Sequence, residues 1–417
     1  MARRIGSCVS VAAVLLLCGT KVMAWNDSMP RKPKIRAITA FLKIDRSQYE
    51  KQVATTVAML RGAKAEFEKS GYEVQTLRVT TQPFPQYTQR LSRKQVLDLI
   101  AALDALSKQD GFVLNIGPAL LNDADDPEQA EFLGEILSRT GVFGSVVVAG
   151  DDGIHWKSVN AAARVIKYVE AHSERGGANF NFAALAMVPP NGPFFPGSYH
   201  NGEGHQFAIA IEGGNFVFDI FAGADGNFHR AQERLATQMN EQAHSIERIA
   251  LNIEKQSGWS YVGLDPSPAP SFDSSIGAAV EKLNGAKFGS SGTMSVVALI
   301  TSAVRGVEAK RAGYAGLMLP PLEDPVLAQR WGEGTYDIDS LLAYSAVCGT
   351  GLDTVPLPGD VSEEQLARMI GDVASLAFKW KKPLSARLIP VPGKKAGENS
   401  GSYGPPGMPS ATLRAVR

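Results

Sequence analysis

Apolar residues recur along this chain in two alternating patterns. In one, four to ten neighbours are nearly all apolar, rich in β-branched and aromatic types and bounded by Gly, Pro or Asp. In the other, apolar residues return every three or four positions over a longer stretch. The first pattern predicts buried strands and the second amphipathic helices. Strands are expected over 35–44, 72–80, 111–116, 142–149, 183–188, 207–211, 217–221, 261–264, 315–319, 352–356 and 385–392. Helices are expected over 47–70, 92–109, 127–140, 157–173, 227–256, 275–283, 293–310, 338–347 and 362–381. Strand and helix alternate almost without a break, which predicts parallel strands joined by crossover helices. No stretch before residue 395 reads as an interdomain linker, so the fold class is α/β, one unit from residue 34 to 396. Residues 25–33 read as a polar linker, and 397–417, which lack periodicity, as a flexible tail.

The amino terminus reads differently from the rest. Arg3 and Arg4 precede an apolar stretch, Val9 to Gly19, followed by the small-residue pattern Val22-Met23-Ala24. That order is expected of a signal peptide over residues 1–24, hence an exported protein, periplasmic or secreted. The stretch is about 11 residues, short of the roughly 20 that span a bilayer, so no permanent membrane span is expected. Cleavage removes Cys8 and Cys18 and leaves Cys348 alone, which excludes an internal disulfide in the exported chain. The formal net charge is +0, and there is no long basic run, which argues against a nucleic-acid partner. Oligomeric state is not legible.

Ligands of parallel α/β folds bind beyond the carboxyl ends of strands, so functional residues are expected in the loops there. Four stand out. His200, Glu203 and His205 lie within six positions in a Gly- and Pro-rich loop, and could ligate a divalent metal such as zinc, form an acid/base pair, or belong to a plain turn. Asp265 and Ser267 sit among Pro266, Pro268 and Pro270, which hold the backbone extended, as a presented carboxylate or as part of a rigid connector. Gly289, Ser290, Ser291, Gly292 and Thr293 run into an apolar helix, where free N–H groups could hold a phosphate or carboxylate, or Thr293 could simply cap. Cys348 and Asp353 flank a Gly-rich turn, the thiol being either nucleophile or buried filler.

At these residues the chain resembles a known family, the conserved proteins called domain of unknown function 711 and described as PFL-like. The resemblance rests on YVGLDPSPAPSFDSSIGAAVE at 261–281, GSSGTMSVVALI at 289–300, YSAVCGTGLDTVPLPGD at 344–360 and RLIPVPGKKAGE at 387–398. KIRAITAFLKID at 34–45 and PFFPGSYHNGEG at 193–204 add to it. It implies an α/β barrel-like fold of the pyruvate formate-lyase type, with strands around an interior loop. It implies no reaction. The carboxyl-terminal SGSYGPPGM does not match the glycine loop of glycyl-radical enzymes, so radical chemistry is not expected.

The residues then support an exported hydrolase or lyase acting on a small anionic ligand, carboxylated or phosphorylated, with or without a divalent metal. His200, Glu203, Asp265, Cys348 and Asp353 are the candidate catalytic groups, and Ser267 with Gly289–Thr293 the candidate substrate-binding ones. A non-catalytic binding protein for such a solute is the alternative, and a structural subunit without ligand the third. The shared-site reading requires the four loops to meet, with His200 or Glu203 in reach of Asp265, Ser267 or Asp353.

Overall fold

The computed structural model describes residues 29–402 and 407–416. The expected signal peptide falls within 1–28, outside the described residues. Ten strands form one sheet: β1 (Lys34–Leu42), β2 (Leu77–Thr81), β3 (Val113–Pro118), β4 (Phe143–Gly150), β5 (Gly153–Ile154), β6 (Phe182–Ala186), β7 (Gln206–Glu212), β8 (Ser260–Ala269), β9 (Gly351–Pro358) and β10 (Leu384–Val391). Their order is β8-β7-β1-β2-β3-β4-β6-β10-β9, with β5 on the end of β4. β1, β2, β3, β4 and β6 run parallel. On one side β7 lies antiparallel to β1 and carries β8 parallel to itself; on the other, β10 lies antiparallel to β6 and carries β9. The sheet is therefore mixed where the alternation predicted only parallel neighbours.

Its hydrogen-bonded ladder does not close. The gap between β8 and β9 is occupied by residues 310–319, which bond to β8 through Leu264 N–H to Lys310 O (2.8 Å) and Ala312 N–H to Leu264 O (2.9 Å). On the β9 side the Thr350 hydroxyl donates to Leu317 O at 3.2 Å. A Cβ built on Gly316 would lie 2.8 Å from Gly349 O, so only glycine admits this approach. The 315–319 run, expected as a strand, is thus an irregular strap. Two other runs also differ. Residues 217–221 belong to the helix Gly214–Ala222, and β8 continues through all its prolines but one to Ala269.

Both faces of the sheet are buried, which is why its strands read as continuous apolar runs. Along β1, Ile38, Ala40 and Leu42 join the large core beneath the outer helices, while Ala37 belongs to a second cluster with Val147, Ala183, Leu185, Ala210, Tyr314 and Met318. That inner face surrounds the loop joining β6 to β7. Thr39 donates to Pro193 O (2.8 Å), Asn115 to Pro196 O (3.0 Å), and the Thr80 and Ser198 hydroxyls bond at 2.9 Å. The arrangement is barrel-like, with the interior loop that the resemblance implies.

The carboxyl-terminal stretch is not a free tail. Gly397 N–H bonds to Leu413 O and Leu413 N–H to Glu398 O, both at 2.8 Å, forming an arm whose Ala411 and Leu413 side chains are buried. Short apolar residues scattered among Gly and Pro show no period, so this anchoring left no sequence signal. No helix among the described residues is long and apolar enough to cross a membrane.

Candidate active site at the barrel mouth

A cavity of about 900 Å³ opens where β4 and β6 end, at the strand termini where α/β folds bind ligands. Its walls come from the turn after β4, the start of the interior loop, the strap and the Lys381–Lys382 turn before β10. His155 stands in this wall at the start of the helix Trp156–His172. Its main chain is fixed by a bond from its N–H to Val148 O, and only 5% of the residue is exposed. The ring Nε2 lies 2.9 Å from Asp152 Oδ1, and Nδ1 lies 3.3 Å from Val147 O. Asp152 is exposed, and the His155 N–H holds its carboxyl below the usual carboxylate range. A carboxylate facing solvent and sharing a proton with a fixed imidazole can take up and return a proton to a bound molecule.

The remaining charges of the mouth are mostly positive. Arg305, Arg311, Lys381 and Lys382 line it, against Asp151 and Asp152. Lys382 is buried and donates to Ala346 O at 3.3 Å and to Cys348 O; burial pushes its ammonium down to about 8. A concave site with excess cations concentrates anions.

The residues expected from sequence separate into three groups. Asp265 and Ser267 meet on the inner face against the Tyr314 main chain, whereas Asp353 lies in a separate small chamber that Tyr314 also lines. Asp265, however, is a clamp: its carboxylate accepts from Ser267 N–H and hydroxyl (3.1 and 2.6 Å), Tyr314 N–H (2.7 Å) and Ala315 N–H (3.2 Å). The Ser267 hydroxyl accepts in turn from Gly316 N–H at 3.0 Å, so this pair secures the strap. Burial still pushes Asp265 up to about 6.

His200 does not join them. It is buried against Phe41, with Nε2 3.0 Å from Glu203 O and 2.8 Å from Gln206 Oε1. Burial lowers its affinity for a proton. Glu203 is exposed and reaches His200 only through its carbonyl, and His205 is exposed against Trp259. No group of three or more His, Cys, Asp or Glu among the described residues is arranged to hold a metal, so the His200–Glu203–His205 ligand set is not assembled. The Gly289–Thr293 turn is also elsewhere, in the outer helical layer. Gly289 N–H is spent on Thr293 Oγ1 (3.1 Å), Thr293 N–H on Ser290 O (3.1 Å), and Ser291 O accepts from Asn284 (3.1 Å). At φ +96° Gly289 has no room for a Cβ, which would meet Thr335 O at 2.3 Å; packing, not anion binding, accounts for the glycine. Cys348 is buried in the outer core and burial pushes its thiol up to about 12, which keeps it protonated; its carbonyl reaches the mouth through Lys382.

A family model described as "Uncharacterised ACR (DUF711)" matches residues 29–401. The chain belongs to this family. Among its relatives, a UPF0210 protein of Pyrobaculum arsenaticum is 31% identical over 350 residues, covering 79% of this chain and 76% of the relative. The UPF0210 protein of Pyrobaculum aerophilum is 32% identical over 348 residues, with the same coverage of 79% and 76%. Among solved structures, an anaerobic ribonucleotide reductase aligns with a TM-score of 0.46 and 10% identity, covering 85% of this chain and 70% of that one. The reductase of Thermotoga maritima bound to dATP and CTP gives 0.45, also at 10% identity, covering 85% of this chain and 75% of that one. For this DUF711 chain, the family name carries no reaction, so chemistry rests on the mouth itself. The residues that sequence reading missed, Asp152 and His155, lie in GDDGIHW directly after a predicted strand, which was the available signal.

Proposed function

We propose that this protein binds a small anionic molecule, carboxylated or phosphorylated, in the barrel mouth and turns it over by proton transfer through Asp152 and His155, as an enzyme of the hydrolase or lyase type. The observation that carries the reading is the hydrogen-bonded Asp152–His155 pair in the wall of a cavity whose other charges are mainly Arg and Lys. The cations would orient the anionic group, and the pair would move the proton at the reacting atom. Tyr314, Tyr199, Val147 and Val188 supply the less polar lining.

The test is a panel of phosphate esters and small carboxylic acids incubated with the wild type and with His155→Ala. Turnover by the wild type should fall by about 10²–10⁴-fold in the variant, while Arg311→Gln should raise KM more than it lowers kcat. Equal turnover by wild type and His155→Ala would refute the assignment. Saturable binding without turnover of any compound would favour the alternative, a binding protein for an anionic solute. Export by the amino-terminal segment is part of the same proposal.

A further inference from the structure

We propose that the barrel holds a second ligand site, a small inner chamber that takes one monovalent anion of the size of chloride or formate. The chamber measures about 40 Å³ and is lined by Arg36, Arg78, Arg387, Glu323 and Asp353 together with Phe195. Tyr314 lines both it and the mouth.

The charges do not balance. Arg387 Nη1 donates to Glu323 Oε1 and to Asp353 Oδ1, each at 2.8 Å, and Nη2 donates to Phe180 O at 3.0 Å. Glu323 also faces Arg36, with Nη2 to Oε2 at 3.7 Å. Both carboxylates are thus taken up by Arg387 and Arg36. Arg78 is left with Thr76 Oγ1 at 3.1 Å and the face of Phe195 at 4.9 Å, neither of them an anion, although only 8% of it is exposed. Arg387 Nε likewise has no partner, in a residue 6% exposed.

Three guanidinium groups therefore meet two carboxylates in a small chamber where Arg78 and Arg387 are buried and Arg36 is part-exposed. Guanidinium does not give up its proton in proteins, so the excess charge cannot be removed at the arginines. Protonating Asp353, which burial favours, only increases it. An unpaired buried charge costs several kcal/mol, whereas a bound monoanion would neutralise the chamber and accept the spare N–H groups of Arg78 and Arg387. At about 40 Å³ the space is that of a few waters, which suits a monatomic or small planar anion. The assignment does not depend on the chemistry of the mouth.

The experiment is thermal unfolding of the full chain at constant ionic strength, with sodium gluconate replaced stepwise by chloride, bromide, formate or sulfate. Chloride, bromide and formate should raise Tm saturably, by about 3 °C between trace and hundredfold-saturating anion, and any rise with sulfate, which the mouth can bind, should persist in Arg78→Met and fall in Arg311→Gln. Arg78→Met should lose the response to chloride, bromide and formate, and Arg311→Gln, in the mouth, should keep it. If Arg78→Met does not fold, a bromide derivative of the wild-type crystal decides, with an anomalous peak expected among Arg36, Arg78 and Arg387. No rise with chloride, bromide or formate, an undiminished response to them in Arg78→Met, or a bromide peak absent from the chamber would overturn the proposal.

Discussion

Replacing Asp265 by alanine separates the clamp reading from a catalytic one. The carboxylate accepts the main-chain N–H groups of Ser267, Tyr314 and Ala315, and all three lose their partner in Asp265→Ala. A buried donor left unsatisfied costs about 1–3 kcal/mol, so the three together cost about 3–9 kcal/mol. Against this stands the removal of a buried charge. With Asp265 pushed from 3.8 up to about 6, keeping it ionised at pH 7 costs about 3 kcal/mol. The net loss is about 3 kcal/mol at pH 7 from the middle of that range. The sign of the pH dependence follows. An acid whose folded-state value is raised stabilises the fold fully below its unfolded value, and that contribution disappears as pH rises through the folded value. The wild type should therefore lose about 3 kcal/mol relative to Asp265→Ala between pH 4 and 7, and the variant's deficit should be largest in acid. Urea unfolding followed by tryptophan fluorescence at pH 4.5 and pH 7 measures both. A deficit under about 1 kcal/mol at both values, or one that does not change with pH, would refute the clamp.

Two further outcomes follow from the packing and one from the amino-terminal sequence. The Cys348 thiol, buried and pushed up to about 12, should react with a thiol reagent at pH 8 only as fast as the protein unfolds; rapid stoichiometric labelling of the native protein would contradict its burial. Leu413→Ala should cost about 2–5 kcal/mol in urea unfolding, because the side chain is 1% exposed in the core; a loss near zero would restore the free-tail reading. Amino-terminal sequencing of protein from the extracytoplasmic fraction should begin at Trp25, and a soluble protein retaining Met1 in the cytoplasm would remove the export proposal.

How much could be read beforehand differs by feature, for physical reasons. Strands buried on both faces leave long apolar runs, so β1, β4, β7 and β10 were placed within about two residues. The run 217–221 has the same composition, yet it forms part of a helix apolar on nearly every side, and periodicity cannot separate a fully buried helix from a buried strand. In β8, Pro266 and Pro268 suggested that the strand had ended. They are tolerated because the strap pairs with β8 near Leu264 and not along its full length. Among the candidate residues, Asp265 and Asp353 were expected at one shared site with His200, but Asp265 is committed to the strap and Asp353 to Arg387. The Gly289–Thr293 turn looked like an anion cradle, but Gly289 answers to Thr335, and the Gly289 and Thr293 N–H groups bond within the turn. His155 was passed over because Gly150 and Gly153 mark only a short turn after the strand, with no second chemistry-bearing loop beside it in sequence. Its role comes from Asp152 and from the basic residues at 305, 311, 381 and 382, which only the fold brings to the same cavity.

The central claim, an anion site at the mouth served by Asp152 and His155, is tested most directly at the imidazole itself. The chain has six histidines, few enough to assign each ring by substitution in a ¹H–¹³C spectrum. Titration with inorganic phosphate, and separately with a small dicarboxylate, should shift the His155 ring signals saturably. The shift should be lost in a variant combining Arg311→Gln with Lys381→Gln, while the His200 signals stay in place. His155 signals that do not move with either anion, or that move equally in the double variant, would contradict the account.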